Sequence, residues 1–77
     1  MPLIVREILE SVKKLGYIIL YYRLYQGAET IELKLLVTEN KKMCFTNFCL
    51  EMGYRGYTET QWINLSDTHF IVKLVKN

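Results

Sequence analysis

The chain lacks a long apolar run: its longest, Tyr17 to Tyr22, is far short of the roughly 20 residues that cross a bilayer as a helix. It also lacks charge of one sign. Ten Lys and Arg stand against eight Asp and Glu, for a formal net charge of +2, and the basic residues are spread along the chain with acids among them. A duplex-DNA binder carries a basic cluster that neutralises several phosphates, and an acidic DNA mimic carries the reverse excess, so neither is expected. Cysteine and histidine are scarce. Cys44 and Cys49 fall in one predicted helix, separated by about 7.5 Å along its axis at 1.5 Å per residue, beyond ordinary disulfide reach. With His69 as the lone histidine they do not make a structural zinc set, so no metal or cofactor is expected and both cysteines read as small buried hydrophobes. The first residues, Met1 to Glu7, have no basic start, long apolar centre or small-residue cleavage site, and a cytoplasmic protein is expected.

What is present is a folding pattern. At 77 residues, 51% hydrophobic and 23% charged, the chain reads as one globular domain over residues 1–77. Folding at this size removes only roughly 60% of the extended chain's surface from water, so the core is marginal alone. Two copies of a helix-hairpin unit are expected, the first over about 1–37 and the second over about 43–77, joined by a polar linker at 38–42. Pro2 suits a first helical turn. Behind it Leu3, Ile4, Val5, Ile8, Leu9, Val12 and Leu15 recur at helical steps. Lys13 and Lys14 suit the carbonyl end, and Gly16 can take the left-handed conformation that ends a helix. The order Met52-Gly53-Tyr54 reads as a return of Leu15-Gly16-Tyr17, after a second helix carrying Met43, Cys44, Phe45, Phe48, Cys49, Leu50 and Met52.

From Tyr17 the apolar period changes from helical to two. Gly27-Ala28 suits a two-residue hairpin loop, read as type II′. That loop predicts Leu24 opposite Ile31, Tyr22 opposite Leu33, Leu20 opposite Leu35 and Ile18 opposite Val37, with Arg23 opposite Glu32 and Tyr21 opposite Lys34 on the reverse side. In the second hairpin Ser66-Asp67 is read as the loop, which predicts Trp62 opposite Ile71 and Ile63 opposite Phe70. The expected architecture is α+β and two-layer: an αββ-αββ pseudo-repeat with a four-stranded, mostly antiparallel sheet and both helices on one face.

If the helices cover the side carrying Ile18, Leu20, Leu33 and Phe70, the other side presents Tyr17, Ile19, Tyr21, Arg23, Tyr25, Lys34, Leu36, Trp62, Ile71, Lys73 and Val75. A contiguous surface of that kind marks a contact. Tyrosine and tryptophan supply contact area at little entropy cost, so the surface predicts burial against a second copy of the chain, as a homodimer, or against a partner protein. A small non-enzymatic inhibitor or regulator, with no membrane or small-molecule substrate, is the expected role. The competing expectation is a platform for single-stranded nucleic acid, on which Tyr and Trp stack bases and Arg23, Lys34 and Lys73 hold the backbone. Glu32 on the same face and the aliphatic Ile19, Leu36 and Ile71 count against it. Catalysis ranks below both: Ser66, Asp67 and His69 lie close together, but a serine and an aspartate in a hairpin loop are first of all turn formers. A helix, Leu15-Gly16-Tyr17 and a hairpin together resemble small toxin-type ribonucleases, whose first-hairpin histidine has no counterpart between Tyr17 and Val37.

Overall fold

The structure is a computed structural model and describes residues 3–37 and 45–77; the expected linker at 38–42, with Met43 and Cys44, lies outside the described residues. Helix α1 (Leu3–Lys14) turns Val5, Ile8 and Val12 into the interior at steps of three and four, which is why this sequence coils here. Its end is a Schellman closure: Gly16 N–H donates to Lys13 O at 2.9 Å and Tyr17 N–H to Val12 O at 3.3 Å, with Gly16 at φ 97°. Helix α2 (Phe45–Tyr54) buries a narrower stripe, Phe48 and Met52, and leaves Cys49 and Leu50 exposed. Cys49 is therefore a surface thiol rather than the buried hydrophobe its spacing suggested.

The stop signal of α2 is also displaced from its expected position. The helix runs through Gly53, and Gly56 takes the positive φ of 84° while its N–H donates to Gly53 O at 3.0 Å. Gly56-Tyr57, not Gly53-Tyr54, is thus the counterpart of Gly16-Tyr17. Both tyrosines that follow these glycines are buried.

Strands β1 (Ile18–Tyr25), β2 (Thr30–Leu36), β3 (Tyr57–Asn64) and β4 (His69–Lys76) pair antiparallel in the order β1-β2-β4-β3. Among the described residues this is a four-stranded sheet with β2 and β4 at its centre. Ile31, Leu33 and Leu35 of β2 and Val72 and Leu74 of β4 form one cluster with the inward residues of both helices. The protein is α+β, one sheet face under helices and one without them. No helix among the described residues is long and apolar enough to cross a membrane.

The hairpin registers depart from expectation in two places, and each departure turns side chains over. In the first hairpin Tyr21 to Tyr25 pair as predicted, Leu24 with Ile31 and Arg23 with Glu32, but a bulge between Ile19 and Tyr21 then sets Ile19 opposite Leu35 and Ile18 opposite Leu36. In the second hairpin the loop is one residue longer than Ser66-Asp67. Leu65 N–H donates to His69 O at 2.9 Å, Trp62 comes opposite Val72 and Ile63 opposite Ile71. A slip of one residue exchanges the faces of a strand, so Trp62 moves to the helix side. A second bulge lies between Glu59 and Gln61.

The first turn differs in type as well. Gly27 and Ala28 both have positive φ, 64° and 75°, the signature of a type I′ turn rather than II′, and Glu29 N–H donates to Gln26 O at 3.3 Å. An alanine tolerates this conformation poorly, and the turn is held from outside. Tyr57 Oη–H donates to Ala28 O at 2.6 Å in the interior, and Lys76 N–H donates to Glu29 O at 2.7 Å. The start of β3 and the end of β4 thereby pin the turn between β1 and β2.

Candidate interaction surface

Eight of the eleven residues expected on the uncovered sheet face share it by register: Tyr21, Arg23 and Tyr25 from β1, Lys34 and Leu36 from β2, Ile71, Lys73 and Val75 from β4. The other three do not. Tyr17 is 5% exposed and its ring lies 5.9 Å from that of Phe48, at 41°. Ile19 packs against the same core, carried there by the bulge that follows it. Trp62 meets Phe48 edge-on at 5.2 Å and 67°, because the longer second loop turned its strand over. Two bulky aromatics of the expected surface are therefore core, and Phe48 joins them.

The face that remains is a polar lattice with an aliphatic side. Glu32 sits at its centre, only 9% exposed, with Arg23 opposite it on β1 and Lys73 opposite it on β4. Lys73 Nζ lies 4.0 Å from Glu32 Oε1, and Tyr21 Oη–H donates to Glu32 Oε2 at 3.3 Å. The Arg23 guanidinium stands 5.0 Å above the Tyr21 ring and Lys34 Nζ 5.9 Å from it, both within cation–π range. Partial removal from water, and next the Glu32 carboxylate, hold the Tyr21 phenol above its ordinary range. A hydrogen bond with Tyr25, and next the charge of Tyr21, keep Arg23 firmly charged. Beside this network Leu36, Ile71 and Val75 are half-buried and Ile63 is exposed.

The largest group of exposed apolar side chains on one element lies, apart from Tyr25, outside the expected site residues. That element is the edge strand β1, where Ile18 is 46% exposed, Leu20 45%, Tyr22 37%, Leu24 37% and Tyr25 41%. Tyr22 and Leu24 face the helix side by register, but α1 does not reach far enough to cover them. Between α1 and β1 lies an open groove of about 400 Å³ lined by Leu9, Lys13, Ile19, Leu20, Tyr21 and Tyr22. The other edge, β3, reads Tyr-Thr-Glu-Thr-Gln-Trp-Ile-Asn, and Ile63 is its one exposed large apolar residue among those described. The sequence did hold a signal for β1: it is apolar on both faces, a pattern that suits a strand with cover on both sides.

Two polar clusters lie elsewhere. Ser66 Oγ accepts the N–H groups of Thr68 at 3.3 Å and His69 at 3.1 Å and lies 3.1 Å from His69 Nδ1, while Thr68 Oγ1 lies 2.8 Å from that same nitrogen. The serine oxygen is engaged in building the turn. Cys49 Sγ–H donates to Glu59 Oε2 at 2.7 Å. That bond, then burial and the carboxylate's charge, push the thiol up to about 11, the opposite of what a nucleophilic cysteine needs.

Comparison of the chain with protein-family models, with curated proteins and with solved structures finds no match.

Proposed function

We propose that this protein is a small, non-enzymatic, cytoplasmic interaction module that assembles as a homodimer and acts as an inhibitor or regulator by occupying another macromolecule. One observation carries the association: five of the large apolar side chains left exposed lie on a single edge strand, β1, whose opposite side continues into the tyrosine-rich sheet face. A long, largely apolar strand edge is a template for pairing and is rarely left free in a soluble protein. The functional groups point the same way, since Ser66 is spent on a turn and the thiol of Cys49 is held protonated.

The scaffold is read as a duplicated αββ unit. Ile8 and Phe48, Val12 and Met52, Gly16 and Gly56, Tyr17 and Tyr57 each correspond at one constant spacing, 56 − 16 = 40, and both first strands bulge at their third or fourth residue. The two halves diverge most on their outer strands, apolar in β1 and polar in β3, so duplication leaves one sticky edge rather than two.

Light scattering after gel filtration at micromolar concentration tests the association. A dimer is expected, and Tyr21→Glu, which sets a second carboxylate beside Glu32, is expected to return monomer with an unchanged circular dichroism spectrum. A particle of 9.2 kDa at every concentration removes self-association. Tyr21, Arg23, Tyr25, Lys34 and Lys73 on one face favour single-stranded nucleic acid as a second reading. Titration of labelled single strands at two salt concentrations checks it: absence of saturable binding at low salt, or no loss on Tyr21→Ala, rules it out.

A further inference from the structure

We infer that the open sheet face binds an acidic protein segment, one that carries carboxylates beside aliphatic side chains. This rests on the reading of the protein as an interaction module and names the chemistry of its partner.

Register sorts the face into a cationic part and an aliphatic part. One cross-strand row runs Arg23, Glu32, Lys73 and Gln61, and the next runs Tyr21, Lys34, Ile71 and Ile63. Among the described residues of this face three cations, Arg23, Lys34 and Lys73, stand against the one carboxylate of Glu32, an excess of two positive charges. That carboxylate belongs to a residue only 9% exposed, with one oxygen 4.0 Å from Lys73 Nζ and the other accepting from Tyr21. Arg23 is exposed and Lys34 and Lys73 are half-buried, so what a partner meets is positive. Strands about 4.8 Å apart, with a rise of about 3.4 Å per residue, put the Cα atoms of the three cations within about 10 Å of one another. Neighbouring carboxylates suit so close a set, and Ile71 and exposed Ile63 offer apolar contact directly beside it.

Two other occupants fit this face less well. A single-strand platform stacks successive bases on successive aromatic rings. Here Tyr17 and Trp62 are core, the Tyr21 ring is engaged by Arg23 at 5.0 Å and Lys34 at 5.9 Å, and Tyr25 is tied to Arg23 by a hydrogen bond. The rings that bases would use are taken. A carboxylate needs only N–H donors, of which a guanidinium has five and an ammonium three, so Arg23 and Lys34 can keep their ring contacts and still receive it. A second copy laid face to face brings the same positive excess and is repelled. An acidic segment with aliphatic neighbours meets the opposite sign over the cations and an apolar surface over Ile63 and Ile71 at once.

Fluorescence anisotropy at two salt concentrations tests this, with three labelled probes: a peptide repeating Glu-Glu-Leu-Leu, its Lys-Lys-Leu-Leu counterpart, and oligothymidylate. Saturable binding of the glutamate peptide, weakening as salt rises, is expected, with little binding of the other two. Arg23→Gln combined with Lys34→Gln is expected to weaken it about 10-fold or more. Glu32→Gln keeps an acceptor for Tyr21 while adding one to the positive excess, and is expected to tighten it, which a merely disturbed fold would not do. No binding of the glutamate peptide at low salt overturns the inference, as does equal binding of the two peptides or weaker binding by Glu32→Gln. Tighter binding of oligothymidylate, lost on the double substitution, replaces the acidic segment with nucleic acid. Glutamate-peptide binding that the double substitution leaves unchanged overturns the face while leaving an interaction module standing. A dimer by light scattering that binds no probe overturns the partner and leaves self-association intact.

Discussion

Deleting the Tyr57 hydroxyl isolates the bond that ties the second unit to the first. Tyr57 is 2% exposed, and its hydroxyl donates at 2.6 Å to the carbonyl of Ala28, itself 4% exposed, in a turn where Gln26, Gly27 and Ala28 have positive φ. Tyr57→Phe keeps the ring and its packing but leaves the Ala28 carbonyl in the interior with one partner fewer. A buried acceptor left unsatisfied costs about 1–3 kcal/mol. For a domain of this size each kcal/mol moves Tm by about 4–8 °C, so a fall of about 4–24 °C is expected. Urea denaturation followed by circular dichroism reads the same loss as a lower midpoint at unchanged slope. Burial, and next the charge of Glu29, raise the Tyr57 phenol above its unfolded value of 10.0. The folded state therefore holds the proton more tightly than the unfolded chain. Its contribution is whole below about pH 10 and is lost as pH rises through the folded value. The gap between wild type and Tyr57→Phe should narrow above pH 10. A variant within 0.3 kcal/mol of wild type at pH 7, on the order of normal error for additive sites, would show that water already serves this carbonyl and that the turn is not pinned from β3.

Ala28→Gly removes a side chain from a left-handed backbone position at φ 75°. Stability should be unchanged or higher by up to about 1 kcal/mol, since relief of the left-handed strain offsets glycine's extra freedom when unfolded; a clear loss in a denaturant melt would mean that the buried methyl matters more. Cys49, with its thiol pushed from 9.0 to about 11, should react with iodoacetamide at pH 8 about 100-fold more slowly than an unperturbed thiol, in proportion to its thiolate. Glu59→Gln should recover most of that rate, and equal rates in the two proteins would mean that the carboxylate does not hold the proton.

Much of this fold was legible in the residues because apolar period is a local property. Val5, Ile8 and Val12 announce a helix, Leu24, Tyr22 and Arg23 find the partners that a Gly27-Ala28 loop dictates, and Gly16-Tyr17 marks where the first helix gives way to strand. The α+β class follows from that alternation of periods. The candidate surface was harder to read. Its placement depended on counting residues through two hairpins, and one uncounted bulge after Ile19, together with one extra loop residue before His69, was enough to send Tyr17, Ile19 and Trp62 inward. Bulges carry no composition signal in a strand as uniformly apolar as β1, where either face suits either environment.

The amino-acid order alone determined which segments coil, which extend and where the chain turns, because those choices are settled by neighbours three or four positions away and by the φ that glycine permits. Only the tertiary structure decided which faces meet water. Strand order placed β2 and β4 at the centre, made β1 an edge, and left α1 too short to cover Tyr22 and Leu24. Exposure is a property of what else packs nearby, and no residue carries that information in its own side chain.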